Sequence, residues 1–275
     1  MTGTAWDEVA DRVFVRRYAF LDQSIGAVIG RTGAVVVDTR STGAQADELM
    51  RDLRRLTDAP VSVVNTHHHW DHAFGNERFM PGPIWGHDRC AAALRDGGEE
   101  MRERVIGQLP ELADELAALR IVAPGQTFDE TATLDLGDRT VELRYLGHGH
   151  TDNDIVALVV DAGVLFAGDL LENDAPPSFG DSYPIAWAET AADRLLPLVR
   201  DVVVPGHGRP GGRDFAERGA GELGLLARLI ASATAGTIGV DEVLATSPYP
   251  AETTRVALDR GHRELENPPH HPRGG

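Results

Sequence analysis

Short apolar runs separated by glycine dominate the start of the chain. "VFVRRYAF" (13–20), "IGAVIG" (25–30) and "AVVVDT" (34–39) predict three β-strands, and Gly26, Gly30 and Gly33 predict tight antiparallel connections. The period then changes. Leu49, Leu53 and Leu56 share one face of a helix predicted at 44–56. "VSVVNT" (61–66) reads as a buried strand and "PIWGH" as another short one. Leu109, Leu112, Leu116 and Leu119 predict helix over 99–120, with Gly107 and Pro110 marking a break near its start.

A second β block follows: "TATLDLG" (131–137), "TVELRYLG" (140–147), "DIVALVV" (154–160) and "GVLFAGD" (163–169). Gly137-Asp138 and the turn ending at Gly163 predict hairpins. A helix (186–199), the strand "VVVPGHG" (202–208) and helices near 214–234, 239–245 and 250–265 complete the pattern. Two β-rich halves, each followed by helices, predict two packed sheets with helices outside. No linker divides the chain. We expect one domain over 1–266, with a core at about 12–210, C-terminal helices at about 214–266 and a disordered Pro/Gly-rich tail at 267–275.

Composition narrows the function. Of 275 residues 42% are apolar, enough for a real core. All 26 basic residues are arginine, and 43 acidic ones leave a net charge of -17. That balance argues against a nucleic-acid partner and against an anionic membrane surface. Cys90 is the only cysteine, so neither an intrachain disulfide nor a cysteine-rich zinc knuckle can form. "MTGTAWDEVADRVFV" lacks the basic-then-apolar pattern of a signal peptide, and no apolar run approaches the ~18 residues of a membrane helix. A cytoplasmic location and a small-molecule substrate are the expectation.

The chemistry is concentrated in "NTHHHWDHAFGN" (65–76), where His67-x-His69-x-Asp71-His72 follows a strand directly. Side chains at a strand end can converge, and imidazoles with a carboxylate suit zinc and similar divalent ions. One loop does not easily close a ligand shell. Three further candidates sit just after apolar β runs: His150 or His148 in "LRYLGHGHT", Asp169 in "VLFAGD" and His207 in "VVVPGHG".

These four motifs, in this order, resemble the metallo-β-lactamase superfamily over roughly 12–210. The resemblance implies an α/β (α+β) fold, a four-layer αββα sandwich, here with a C-terminal helical extension. It implies that His67, His69 and His150 hold one divalent metal, that Asp71, His72 and His207 hold a second, and that Asp169 bridges them. "GHT" favours His150 over His148. The ions would be Zn2+, with Mn2+ or Fe2+ as alternatives, sharing a hydroxide as nucleophile, and Asp71 would orient it as the catalytic carboxylate. With an aspartate at 169 the ligand set resembles the glyoxalase II and acyl-homoserine lactonase type. The implied activity is hydrolysis of a small ester, lactone or thioester. A mononuclear iron persulfide dioxygenase is the alternative, and β-lactamase activity a second one.

Substrate contacts are expected from 173–187 and from the helical insertion at 97–126. Trp70, Phe74, Phe179, Tyr183 and Trp187 could form an apolar wall or be ordinary packing. Tyr183 could donate to a substrate carbonyl, as a tyrosine does in the lactonases. With no lysine in the chain, Arg209 or Arg213 would have to anchor a carboxylate. His68 is expected beside the ligands rather than among them, and His148 near the pocket rim. Asp38 is expected to support a ligand histidine, His87 to cap a helix at 88–95, His262 to be surface, and Cys90 to be buried in that helix.

Overall fold

The computed structural model describes residues 6–269. The predicted tail from 267 therefore lies outside the described residues from 270 on. One sheet has seven strands in sequential order: β1 (Asp7–Ala10), β2 (Val13–Arg17), β3 (Ser24–Ile29), β4 (Ala34–Val37), β5 (Val61–Val64), β6 (Ile84–His87) and β7 (Gln126–Phe128). The first four are antiparallel and the last four, from β4, parallel. The other sheet is ordered β12-β11-β10-β9-β8, from β8 (Thr131–Asp135), β9 (Thr140–Tyr145), β10 (Ile155–Val159), β11 (Val164–Gly168) and β12 (Val202–Pro205). It is antiparallel apart from the β11–β12 pair.

Strands β3, β4, β10 and β11 are covered on both faces, which is why they read as continuous apolar runs, whereas β8 and β9 alternate. The period of two still sorts the side chains. Val35 and Val37 point between the sheets with Val13, Val64, Leu143 and Phe166, whereas Val36 packs outward on α1 (Gly43–Leu53) through Leu49 and Leu53. On β10, Ile155, Ala157 and Val159 face the sheet interface, while Val156 and Leu158 face the helices on the far side. Gly26 lets the sheets approach: a Cβ there would lie 2.2 Å from the Phe166 ring. The result is the αββα order expected.

Helices α5 (Pro184–Glu189), α6 (Arg213–Thr234) and α8 (Ala251–Glu266) cover the second sheet. Trp187, Leu223, Leu226, Ile230 and Ala257 fill that core. Between α6 and α8 lies α7 (Val240–Thr246). A fourth cluster sits above the strand ends of the first sheet. There α3 (Asp88–Gln108) and α4 (Ala113–Ala118) bury Cys90, Leu94, Val105 and Leu116 around Phe74.

Boundaries differ from the sequence expectation for local reasons. The helices expected at 88–95 and from 99 are one helix, α3, capped at its start by His87 as expected, with Nδ1 accepting from the Arg89 N–H at 3.1 Å. It stops at Leu109, before Pro110, and helix resumes at α4. The segment predicted as helix at 186–199 holds α5, a wider turn at 190–195 and a tighter one around Pro197. Strands β1 and β7 have no predicted counterpart: "DEVA" is a largely polar edge and "QTF" is three residues long. Among the described residues no helix is long and apolar enough to cross a membrane.

Candidate metal centre

Strand ends of both sheets meet at one edge of the sandwich. After β5 the chain turns through 65–69 into the one-turn helix α2 (Trp70–Ala73), which carries Asp71 and His72. His150 follows β9, Asp169 follows β11 and His207 follows β12. The seven predicted ligands form two clusters, His67, His69, His150 and Asp169 in one, Asp71, His72 and His207 in the other.

In the first corner His67 Nε2 and His150 Nε2 lie 3.0 and 2.8 Å from His69 Nδ1. In the second, His72 Nε2 and His207 Nε2 are 3.1 Å apart, and Asp71 Oδ2 lies 3.5 and 3.3 Å from them. Asp169 stands between the corners. Its Oδ2 is 3.4 Å from His150 Nε2 and 3.5 Å from His207 Nε2, and its Oδ1 is 3.4 Å from His72 Nε2. The approach is so close that a Cβ on Gly206 would sit 1.9 Å from Asp169 Oδ1.

Each imidazole is turned into the cluster by a hydrogen bond on its other nitrogen. His72 Nδ1 donates to Asp38 Oδ2 at 2.9 Å, His207 Nδ1 to the Leu21 carbonyl at 2.7 Å, and His150 Nδ1 to the Ser178 carbonyl at 3.1 Å. His69 Nε2 donates to both Asp181 oxygens at 3.1 Å. Thr66 Oγ1 gives its proton to Asp38 at 2.9 Å and so accepts from His67 Nδ1 at 3.0 Å. In the neutral rings these acceptors fix the tautomer, so that each inward nitrogen would offer a lone pair to an ion.

Lone pairs and carboxylate oxygens therefore face one another at hydrogen-bond distance, and buried Asp169 Oδ1 has no hydrogen-bond partner. Cations complete such an arrangement, and the donor set fits zinc or another borderline divalent ion. Carboxylates set the electrostatics of the second corner. Burial opposes charge on His72 and His207, yet Asp169 and Asp71 outweigh it and raise both pKa values well above the ordinary imidazole. In the first corner burial holds His67 well below the ordinary value and His150 down at about 4, whereas on His69 burial is outweighed by the Asp181 hydrogen bond, which raises the value.

Asp38, the acceptor behind His72, sits at φ 67°, a left-handed conformation that Asp tolerates better than most residues. His68 lines the cavity and accepts from Asn153 Nδ2 at 2.9 Å. His148 does not reach the cluster or the cavity rim: its ring packs 4.6 Å from that of Tyr183. Cys90 is buried, and His262 is exposed beside Glu266.

The cavity over the cluster has a volume of about 580 Å³, within the range of small-ligand sites. Its wall corrects the sequence reading. Of the five aromatics only Trp70 lines it. Phe74, Phe179 and Trp187 are fully buried in the helix-side cores, where burial of a large apolar surface outweighs any use at the rim, and Tyr183 is half-buried against His148. The apolar wall comes instead from Leu21 and from Met101, Val105 and Leu109 of the α3 end. Their spacing of four was legible as one helical stripe. Arg209 and Arg213 do not reach the cavity either. Arg209 pairs with Asp174 at 2.6 Å, and Arg213 donates to the Val199 carbonyl at 2.7 Å. Among the described residues Arg104 is the one arginine on the lining. Glu172 and Asp181 also line it. Burial and the Asp169 charge push Glu172 up to about 8. Neither carboxylate had a sequence signal, because each is placed by a loop.

The family model of the metallo-β-lactamase superfamily matches residues 19–207. A metallo-β-lactamase type 2 from Bacteroides fragilis is 28% identical over 197 residues, 69% of this chain and 70% of the relative. A hydroxyacylglutathione hydrolase from a Synechococcus strain is 29% identical over 138 residues, 50% of this chain and 44% of that one. Among solved structures, a sec-alkyl sulfatase variant superposes with a TM-score of 0.73 at 16% identity, covering 96% of this chain and 50% of its own.

Proposed function

Because the chain belongs to the metallo-β-lactamase superfamily, we propose that it is a binuclear metal-dependent hydrolase of a small ester, lactone or thioester. The observation that carries this is the pair of ligand corners with Asp169 between them. His67, His69 and His150 would hold one ion, Asp71, His72 and His207 the other, and Asp169 both. Divalent ions held there would supply a polarised carbonyl and a water activated near neutral pH.

The residues do the rest. Asp71 lines the cavity and orients the attacking water. Leu21, Trp70, Met101, Val105 and Leu109 pack the acyl or aryl group and exclude solvent. The relative named for a thioester-type substrate supports the acyl reading. Against a β-lactam, which carries its own carboxylate, stand Asp22 and Asp181 on the same lining, offset by Arg104 alone.

Elemental analysis of protein purified without chelator is expected to find about two equivalents of zinc. Aryl esters, lactones and thioesters are expected to turn over faster than β-lactams. One equivalent of iron with oxygen consumption on a persulfide would replace this reading with the dioxygenase. A β-lactam turned over orders of magnitude faster than every ester would replace it with a lactamase.

A further inference from the structure

We infer that Asp181 is a positioning residue for the three-histidine corner, and that the C-terminal helix α8 holds it there through Arg260. The inference rests on the metal-centre reading above and extends it to residues beyond 207, where the family match ends.

The geometry starts at His69. Its Nδ1 faces His67 and His150, which leaves Nε2 as the protonated nitrogen. Both oxygens of Asp181 accept that N–H at 3.1 Å, and His68 Nε2 stands 3.7 Å away on the same carboxylate. An acceptor on the outer nitrogen fixes the tautomer and ring plane of a ligand histidine and makes it a stronger donor.

Asp181 sits on a loop with no strand or helix of its own, and α8 supplies the support. Arg260 Nη2 donates to the Asp181 carbonyl at 2.8 Å and Nε to the Ser182 carbonyl at 3.0 Å. One turn further on, the buried Glu264 accepts from the Ile185 and Ala186 N–H groups, both at 2.8 Å, and so caps α5 where the loop ends. The same loop presents the Ser178 carbonyl to His150. Two of the three imidazoles in that corner therefore take their orientation from a segment strapped down by α8.

The test is the stepwise zinc affinity of the full chain by chelator competition, with the melting temperature of the apoprotein as the folding control. Asp181→Ala is expected to weaken one of the two steps by about 10- to 100-fold. The other step and the apoprotein melting temperature should hardly move. Asp181→Asn keeps a carbonyl acceptor and should recover most of the loss. Arg260→Ala should weaken the same step, by less. Unchanged affinities in Asp181→Ala, or equal loss at both steps, would overturn the positioning role. An unchanged step in Arg260→Ala would remove α8 from it. Wild-type protein that binds no zinc would instead overturn the metal-centre reading itself.

Discussion

Five imidazoles converge because five acceptors sit behind them, and those acceptors come from loops far apart in sequence: Asp38, Thr66, Ser178, Asp181 and the Leu21 carbonyl. Residue type and spacing were enough to single out the seven clustered side chains. They were not enough to find Asp181, because an aspartate in a loop has no period and its partner lies 112 positions away. The choice between His148 and His150 gives a direct experiment. His150→Ala removes a lone pair from the first corner and is expected to lower zinc affinity by at least about 100-fold, with activity lost alongside. His148→Ala changes a ring that packs on Tyr183 outside the cavity, so zinc content is expected to stay at the wild-type level. Elemental analysis of the two variants side by side checks this. Metal loss in His148→Ala with retention in His150→Ala would reverse the assignment.

At the scale of elements, α3 decides what enters the site. Its capped start and its stop before Pro110 aim Met101, Val105 and Leu109 at the cavity from one face. The periodicity of 99–120 announced a helix, yet its wall-forming role depends on how α3 crosses the strand ends, which local pattern does not encode. Val105→Ala removes two methyl-sized groups from that wall. A pocket methylene is worth about 1–3 kcal/mol, so kcat/KM for long-chain or aryl esters is expected to fall by about 10-fold or more. Acetyl esters should be nearly unaffected and zinc content unchanged. A uniform fall across chain lengths would argue that Val105 acts through stability instead.

Over the whole molecule, the helices after β12 belong to the same packing as the site. Leu226 of α6 is almost wholly buried in the cluster that includes Leu170, Trp187, Ala257 and Phe179, which lies on the loop that bears Asp181. Leu226→Ala is expected to destabilise the fold by about 2–5 kcal/mol. It should appear as a lower urea midpoint at unchanged slope. A shift under about 0.5 kcal/mol would mean that this core relaxes around the loss. The order of layers and the four ligand motifs were legible in the chain because each is local: a period of two or of 3.6, or a residue set at a strand end. Which aromatics line the cavity was not. Phe74, Phe179 and Trp187 look alike in sequence to a substrate wall and to a core, and burial between helices and sheet settled them as core. Placement of Arg104, Glu172 and Asp181 around the site likewise came from loop and helix docking, since long-range contacts alone bring a side chain to a point that no neighbouring residue specifies.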